Sequence, residues 1–592
     1  PNAKLRRNCN SSASDLSLHD LTLSDQTLMS VESHSDGILV PIKGGNPVLK
    51  TKKQICQSFE RIICLVLLCM SSVMTGCVLE SSKPPSKTPP KSSVKKVSTP
   101  LSPVKSSRDR SASQGLQRSD LPELTEEQMA NAENLVMGAC SRCHAPLPAD
   151  ALPRHAWEEV ILSMNGMVGP WNQPAASVED IAVALYWYER EAPEELEYFE
   201  HPLETELAFK KVELTPRGLE SERIPAVSDI MLFKGKRGIP EGILVSEMRS
   251  RRLLAMPYGE LNSSMLRPFM GSVDFNYPAA ISHGDFDGSG RLEIFVASMG
   301  GMNPSNEEKG GVSFLTHSEE GWEVSSVGVD LGRACDIDVA DMDNDDDTDM
   351  VVCAFGFRGP GQLLWLKNIQ NQFVVKTLDE RDGFVAAIID DVDDDDDEDI
   401  IALLSQEHEV LLQFTNDGEG VFTVSELLRL PHAAWGSSDL LRVDLDRDGD
   451  RDLILVNGDT LDDHTPKPIH GVRWLERVGS QFLELREILI LPGCERADGD
   501  YDVVGAAFMP QLPIEDWDRW DSLVWAENLG NAKAWDVKSL EKGNPVHSAI
   551  HVDDINRDGL MDIVTGNFVW IDESGKSATR RDYLTVWQQV SQ

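Results

Sequence analysis

Two cysteines and a histidine near residue 140 have the types and the spacing for redox chemistry. Cys140 and Cys143 are three positions apart, and His144 follows immediately. Two thiols at this spacing can add to the two vinyl groups of one haem, and the adjacent histidine can then bind the haem iron. The sequence therefore predicts one covalently attached haem c, with Cys140 and Cys143 as its attachment points and His144 as an axial ligand.

A Cys-x-x-Cys pair also occurs in thiol–disulfide oxidoreductases and in zinc sites, which are the alternatives here. A redox-active pair usually follows a strand in a βαβ unit, whereas the pattern around Cys140 is helical. A zinc site needs a second pair of ligands nearby, and residues 78–334 contain no cysteine besides this pair. Haem is therefore the favoured interpretation of the motif.

A second axial ligand is expected from the helix that the sequence predicts after the motif. The segment from Trp157 to Met164 has a helical pattern that ends in methionine. It resembles the W-x6-M segment of small monohaem cytochromes, such as the cytochrome subunit of sulfite dehydrogenases, and this resemblance implies Met164 as the distal ligand. Met167 is the alternative, and His155 would give bis-histidine ligation but lies only eleven residues after His144. A methionine ligand would raise the reduction potential relative to bis-histidine ligation.

Five acidic segments in the second half of the chain have the composition of cation-binding loops. Each has the form D-x-[DN]-x-[DS]-x-x-x-[DE] and is followed by an apolar strand. Hard oxygen ligands gathered in a tight turn suit Ca²⁺, so the side chains at positions 1, 3, 5 and 9 are the predicted ligands, with a carbonyl oxygen from position 7. These side chains are Asp285, Asp287, Ser289 and Glu293; Asp341, Asp343, Asp345 and Asp349; Asp391, Asp393, Asp395 and Asp399; Asp444, Asp446, Asp448 and Asp452; and Asp554, Asn556, Asp558 and Asp562.

Two of these loops depart from the pattern, because Asp346 and Asp396 occupy the sixth position, where glycine would ease the turn. Aspartate tolerates the required backbone angles better than most residues, so calcium binding by these loops is expected to be weakened rather than lost. The alternative for all five loops is a solvated acidic turn. The recurrence of one pattern five times in register favours calcium.

The spacing of the acidic loops predicts the fold that positions them. The loops begin at intervals of 56, 50, 53 and 110 residues, and the last interval is two periods. Units without the acidic loop are therefore expected near residues 500 and 230, which gives seven units of about 54 residues. Each unit reads as four strands, and Phe209–Leu214 is the candidate for the missing fourth strand of the last unit, which would close a ring. The arrangement resembles the FG-GAP (VCBS) repeats of integrin-α-type seven-bladed propellers over residues 205–592.

A small helical domain is expected in front of the repeats. Thr125 begins a capping box, and Ser177 with Asp180 forms another, before a helix that ends ahead of Pro193. The predicted fold class is therefore a small all-α cytochrome c domain followed by an all-β seven-bladed propeller, with a disordered N-terminal region and tether.

The N-terminal region reads as an export signal and a tether. Residues 52–77 combine positive charges with an apolar run of about 13 residues, too short to cross a bilayer as a helix, and end in Met-Thr-Gly-Cys77. This ending resembles the lipobox of bacterial lipoproteins and implies that Cys77 is lipidated; an ordinary cleaved signal or a short anchor is the alternative. The predicted division is 1–50, disordered and read as an over-extended start; 51–76, signal peptide; 77–118, Ser/Pro/Lys-rich linker; 119–200, cytochrome c domain; and 201–592, propeller.

The other cysteines and histidines give no convincing catalytic set. Cys335 and Cys353 lie on neighbouring predicted strands and are expected to be buried thiols, with a disulfide as the alternative. His432, His547 and His551 lie near the starts of inner strands, where structural roles are favoured over catalytic ones. The sequence has no recognisable nucleotide-binding loop, hydrolase elbow or triad, so no catalytic residue is assigned.

The charge balance narrows the partners. A net charge of −43, without a basic stripe, argues against nucleic-acid binding. The features together imply a membrane-tethered c-type cytochrome in the periplasm or at the cell surface that transfers single electrons. Its propeller, with up to five Ca²⁺, would dock a redox partner protein or an extracellular polymer. Two alternatives stay open: a haem-coupled dehydrogenase with its substrate site in the propeller, and an adhesion or scaffold protein with a minor redox role.

Overall fold

The computed structural model divides the chain into two compact units, residues 1–108 and 109–592, each described by itself. In the first unit, Gly37–Val40 pairs antiparallel with Ser33–His34 and with Val48–Lys50. The signal segment, Cys77 and the linker up to residue 115 lie outside the described residues. The second unit is described over residues 116–590, apart from 143, 165–167, 170–172, 175, 199–200, 218–223, 234–240, 260, 262–265, 271–272, 287, 304, 319–320, 328–329, 357–360, 462, 499–500 and 572–580.

The second unit begins with a helical segment. Its α-helices are α1 (Glu126–Ala130), α2 (Ala132–Cys140), α3 (Trp157–Ser163) and α4 (Val178–Glu191). Short 3₁₀ turns occur at Arg118–Asp120, Ala149–Ala151 and Arg154–Ala156, and a two-residue hairpin pairs Val168–Gly169 with Gln173–Pro174. The segment is therefore mostly helical but not all-α. Among the helices described, none has the length and apolar character needed to cross a membrane.

Both predicted capping boxes are present in the helical segment. Thr125 Oγ1 accepts the N–H of Gln128 at 3.2 Å, and the Gln128 side chain accepts the N–H of Thr125 at 2.9 Å. Ser177 and Asp180 exchange the same pair of bonds, each at 3.0 Å, at the start of α4. These bonds satisfy N–H groups that a helix leaves unpaired in its first turn.

Two aromatic residues hold the chain after His144 against the helices. Trp157 stacks on Tyr188 with ring centroids 3.8 Å apart, which joins α3 to α4. The hydroxyl of Tyr188 donates to the carbonyl of Leu147 at 2.9 Å, and Trp157 Nε1 donates to the carbonyl of Leu152 at 3.2 Å. The loop between α2 and α3 is thereby fixed by the apolar core of the segment.

The rest of the second unit is a seven-bladed β-propeller, as the repeat spacing predicts. Its seven sheets, numbered as blades 1–7 in chain order, are each built from four antiparallel strands. The first strands of neighbouring blades lie against one another around a closed ring, so they are the innermost strands. The strands of blades 1–4 are Val227–Phe233, Gly242–Glu247, Arg252–Pro257 and Arg267–Pro268; Pro278–Gly284, Glu293–Ser298, Gly311–Ser318 and Gly321–Ser326; Ala334–Ala340, Asp349–Ala354, Gln362–Asn368 and Phe373–Asp379; and Phe384–Asp390, Asp399–Leu404, Val410–Asn416 and Phe422–Arg429.

The remaining blades follow the same order, with two additions. The strands of blades 5–7 are Ser437–Val443, Asp452–Asn457, Gly471–Leu475 and Arg486–Ile490; Cys494–Asp498, Val503–Ala507, Asp521–Asn528 and Trp535–Lys542; and His547–Asp553, Asp562–Asn567, Leu584–Gln589 and Phe209–Leu214. A small hairpin (Arg477–Val478 with Gln481–Phe482) interrupts blade 5, and Leu203–Glu204 pairs in parallel with the outer strand of blade 6.

The ring is closed by the start of the propeller domain. Phe209–Leu214 pairs antiparallel with Leu584–Gln589 over six residues and is the outermost strand of blade 7. The last blade thus contains strands from both ends of the domain, and its third strand is left without an exposed edge.

Aspartates join the innermost strands of successive blades. An innermost strand has a neighbour on one side only, so the N–H groups on its other edge need an acceptor from elsewhere. Carboxylates of the preceding blade supply it: Asp229 accepts from Ile281 at 2.8 Å and Asp336 from Ala387 at 2.8 Å. Asp338 and Asp498 make the same kind of bond to the next blade, at 2.9 and 2.7 Å.

Cys335 and Cys353 are both thiols in this inner region. The thiol of Cys335 donates across the blade boundary to the carbonyl of Phe384 at 3.3 Å. Burial raises the pKa of the Cys335 thiol to about 12, so it stays protonated at neutral pH.

A charged network fastens the seam between blades 6 and 7. Glu541, at the end of blade 6, lies 2.8 Å from Nζ of Lys211 in the ring-closing strand and 2.6 Å from Nε2 of His547 in blade 7. Nδ1 of the fully buried His547 lies 2.9 Å from the amide oxygen of Asn567. Burial alone would raise the pKa of Glu541, but its bonds and charge interactions with His547 and Lys211 lower it to about 2.

Glu541→Gln is expected to reduce the free energy of unfolding at pH 7 by about 2–3 kcal/mol, because the folded state depresses this pKa from 4.5 to about 2. The contribution is present above pH 4.5 and is lost as the pH falls toward 2. In denaturant titrations, the difference in the free energy of unfolding between wild type and variant should be about 1 kcal/mol smaller at pH 3.5 than at pH 7. Glu213→Gln, which removes a more exposed carboxylate 3.8 Å from Lys211, is the control and should have little effect. An unchanged difference at pH 3.5 would contradict this role.

Candidate functional site

The five acidic loops lie on one face of the propeller. Each of them connects the first and second strands of a blade, in blades 2, 3, 4, 5 and 7. Because the strands alternate in direction, these turns share one face, here called the loop face. The connections from second to third strands and from blade to blade lie on the other face, here called the connection face.

Hydrogen bonds within the loops gather their carboxylates. Asp341 accepts the N–H groups of the fifth and sixth loop residues at 3.1 and 2.9 Å, and Asp391 and Asp554 do the same in their own loops. In blades 3, 4 and 5, the carboxylates at positions 1, 3 and 5 each bring an oxygen within 4.8 Å of the other two. Like charges at this separation repel one another unless a cation lies between them.

The ninth residue of each loop is buried, and in four of the five loops it binds the backbone at or just after the end of the third strand. Asp349 accepts the N–H of Asn368 at 2.6 Å, and Asp399 accepts that of Asn416 at 2.8 Å. Asp452 and Asp562 make the equivalent bonds at 2.8 and 3.1 Å. Burial raises the pKa of the carboxyl groups to about 6, although these hydrogen bonds oppose the shift. The fold therefore holds carboxylates at a site where their charge is poorly solvated.

Every acidic loop also contains a buried oxygen that accepts no hydrogen bond from the described residues. These atoms are Asp285 Oδ1, Asp343 Oδ1, Asp399 Oδ2, Asp444 Oδ1 and Asn556 Oδ1. A buried oxygen without a partner is costly, and most such atoms in proteins are satisfied. In blade 3, the ammonium group of Lys367 pairs with Asp343 and lies 3.6 Å from Asp345, in keeping with the loop's attraction for a cation. The donor set consists of the hard oxygens that Ca²⁺ prefers.

The loops are coupled to the packing between blades through their second residue. This residue is apolar and buried in every loop, within the hydrophobic cluster shared with the next blade. The five residues are Phe286, Met342, Val392, Leu445 and Ile555. The next blade also binds the backbone there, since Asn416 donates to the carbonyl of Met342 at 2.7 Å and Asn528 to that of Leu445 at 3.3 Å. A change in loop shape therefore acts on the interface between two blades.

The backbone of the loops is left-handed at two positions. At the sixth position, Asp346 and Asp396 have φ of 68° and 73°, which is the region that the sequence assigned to glycine. The fourth position is also left-handed, including Arg447 and Arg557 with φ of 64°. Asn344 and Asp394, at the fourth position of two loops, are residue types that favour this conformation, whereas arginine at the same position does not indicate it.

Blade 6 keeps the anchor of an acidic loop without the loop itself. Asp502 accepts the N–H of Asn528 at 2.9 Å and Nε1 of Trp525 at 3.2 Å. In blade 3, Asp349 makes the same two bonds to Asn368 and Trp365. The sequence analysis missed Asp502, although the shared W-x-x-N spacing on the third strands could have revealed it.

The cysteine–histidine motif lies at the C-terminal end of α2. Cys140 is the last residue of α2 and is half-buried next to Tyr188, while Cys143 lies outside the described residues. Nδ1 of the half-buried His144 lies 2.8 Å from the carbonyl oxygen of Ala145. With Nδ1–H donating to that carbonyl, the acceptor nitrogen of the ring is Nε2, the arrangement usual for a metal-binding histidine.

The predicted distal ligands lie around α3. Met164 is half-buried and caps the C-terminus of this helix. Met167 lies outside the described residues. His155 is exposed in the 3₁₀ turn before α3. Of the candidates with a described position, Met164 is therefore the less exposed one.

Of the three histidines considered in the sequence, His547 and His551 lie on the first strand of blade 7, and His432 lies in the connection between blades 4 and 5. His547 belongs to the seam network with Glu541. Nδ1 of His551 lies 3.3 Å from Asp498, and His432 packs edge-on against Trp435. The structural role of the three residues stays a prediction.

Comparison with protein-family models and with curated proteins finds no match to this chain. Its family is therefore not shown. The fold that the structure shows is a seven-bladed β-propeller preceded by a helical segment.

Asp452→Asn is expected to weaken cation binding in blade 5, so it should destabilise the protein more in calcium than in chelator. A site at a hundredfold excess of ligand over its Kd contributes about 2.7 kcal/mol, which sets the scale of the effect. Asp502→Asn is the matched control, because Asp502 makes the same anchoring bond without a loop and should cost about 1–2 kcal/mol in both conditions. Thermal unfolding with and without calcium measures both. Equal losses for Asp452→Asn in the two conditions would argue against a cation site.

Asp346→Gly is expected to stabilise the protein by up to about 1 kcal/mol, because glycine adopts the observed positive φ without strain. Gly449→Ala is the reverse test in blade 5. A Cβ there would meet no atom within 4 Å, so a loss of about 1–2 kcal/mol would come from its φ of 103° alone. Denaturant unfolding of both variants checks the pair. A loss of stability in Asp346→Gly would show that the aspartate side chain itself supports the loop.

Proposed function

We propose that this protein is an exported, lipid-anchored c-type cytochrome that transfers single electrons. The observation that carries the proposal is the Cys140–His144 motif at the end of α2. His144 keeps Nε2 as its acceptor nitrogen there, and Cys140 lies beside the aromatic core of the helical segment.

The residues fit a covalently held haem. Cys140 and Cys143 would attach it, His144 would be one axial ligand, and Met164, or Met167 as the alternative, would be the other. The haem would supply one-electron chemistry when bound. Trp157 and Tyr188 would exclude water from the same interior, and the bond from His144 to Ala145 would orient the imidazole.

The propeller would be stabilised by up to five Ca²⁺, one for each acidic loop. The unpartnered oxygens and the poorly solvated ninth-position carboxylates support this assignment. The likeness of the loops to FG-GAP (VCBS) repeats points the same way. The propeller would present its surface to a redox partner protein or an extracellular polymer, in the periplasm or at the cell surface. Lipidation at Cys77 would tether the protein to a membrane.

Protein produced together with c-type maturation factors is expected to contain one haem that stays attached after denaturation and has a reducible haem c spectrum. Cys143→Ala should lose the double covalent attachment, whereas Cys335→Ala, which removes a buried propeller thiol, should retain it. Met164→Ala should lower the reduction potential if Met164 is the distal ligand, and Met167→Ala is the matched comparison. Wild-type protein without covalent haem under these conditions would disprove the proposal.

A further inference from the structure

A cavity of about 360 Å³ lies where the chain leaves the helical segment and crosses blades 5 and 6. Tyr198 and His201 line it from the crossing chain, Pro468 and Leu491 from blade 5, and Trp520 from blade 6. The blade residues belong to the connection face, opposite the acidic loops. The volume is within the range of about 300–1,000 Å³ that is common for small-molecule sites, and such sites often occur between domains.

Part of the cavity wall is apolar and includes two aromatic rings. Tyr198 and Trp520 meet edge to face with centroids 4.8 Å apart. The hydroxyl of Tyr198 donates to the carbonyl of Pro466 at 2.7 Å, so this ring is fixed in place. Flat walls of aromatic, proline and leucine side chains favour a flat apolar molecule.

One polar pair in the wall has the geometry of a base and its orienting carboxylate. Nδ1 of His201 lies 2.6 Å from Oδ2 of Asp521, which is 4 % exposed. The other oxygen of Asp521 accepts the hydroxyl of Ser539 at 2.5 Å, which fixes the carboxylate. Nδ1–H therefore donates to Asp521, and Nε2 is the acceptor. No hydrogen bond to Nε2 is present within the described part of the chain.

The charges at the rim are largely balanced within the protein. Arg519 lies 3.6 Å from Asp516, and Lys542 lies 3.8 Å from Asp521. Their positive charges are thus met by neighbouring carboxylates. This balance favours a neutral ligand over an anionic one.

We propose that this cavity binds a small, neutral, planar molecule with a hydroxyl group, of the phenol class, whose hydroxyl donates to Nε2 of His201. The apolar part of the wall holds the ring, and His201, whose side chain is 47 % exposed at the edge of the cavity and is oriented by the buried Asp521, supplies the acceptor. The site is independent of the haem and calcium proposals, since it uses none of their residues.

The test compares 1-naphthol with naphthalene by isothermal titration calorimetry on the full chain, loaded with haem and calcium as isolated. The two probes share a ring system and differ in the hydroxyl, so we expect 1-naphthol to bind up to about tenfold more tightly, the effect of one good hydrogen bond. His201→Ala should remove this preference. His155→Ala, which changes an exposed histidine of the helical segment, should preserve it.

A cavity-filling variant is a second test of binding, for use if His201→Ala alters the local fold. Pro468 is half-buried at the wall, so Pro468→Trp should block both probes while the melting temperature stays near that of the wild type. Equal affinity for the two probes, an unchanged preference in His201→Ala, or no binding of 1-naphthol to the wild type would each overturn the proposal.

Discussion

Packing between successive blades depends on one buried apolar side chain in each acidic loop. Met342 is an example: it is fully buried against the next blade, and its carbonyl accepts a hydrogen bond from Asn416 of that blade. The carboxylates around it lie within 4.8 Å of one another and repel. A cation that neutralised these carboxylates would also fix the loop that carries Met342, so the charge of the loop and the packing between the blades are coupled. The buried apolar residue recurs in five of the seven blades, and the cluster of carboxylates around it is described in three of them, which makes this arrangement the main constraint on the propeller.

Blade 6, which has no acidic loop, meets the constraint in another way. Blade 6 keeps the anchoring carboxylate, Asp502, and packs its third strand through the same pair of bonds. The seam beside it is fastened by Glu541, which contacts both the ring-closing strand and the first strand of blade 7. The ring-closing strand follows the helical segment in the chain, and the core of that segment includes Ala434 from the connection between blades 4 and 5. Ring closure therefore also fixes where the helical segment sits on the connection face.

The sequence predicted what repeats and missed what is made by distant contacts. The spacing of the acidic loops predicted seven blades and the closing strand Phe209–Leu214, because a periodic pattern shows where a strand is lacking. Capping boxes predicted the starts of α1 and α4, since their bonds join residues three apart. No local pattern marks the pair of His201 and Asp521, which are 320 residues apart in the chain. The outer strand Leu203–Glu204 was also missed, because a strand of two residues is too short to show a periodic pattern.

In this propeller, the acidic loops that support the packing between blades and the cavity that could bind a ligand lie on opposite faces. Turns between first and second strands must lie on the loop face, and connections between blades must lie on the connection face. The loop face carries the carboxylates that shape the interfaces between blades, so changes there act on the whole ring. The connection face carries the helical segment and the cavity beside Trp520, which is built from connecting segments and from the ends of the strands they join. Ligand contacts can therefore vary on one face while the packing that supports them is set from the other.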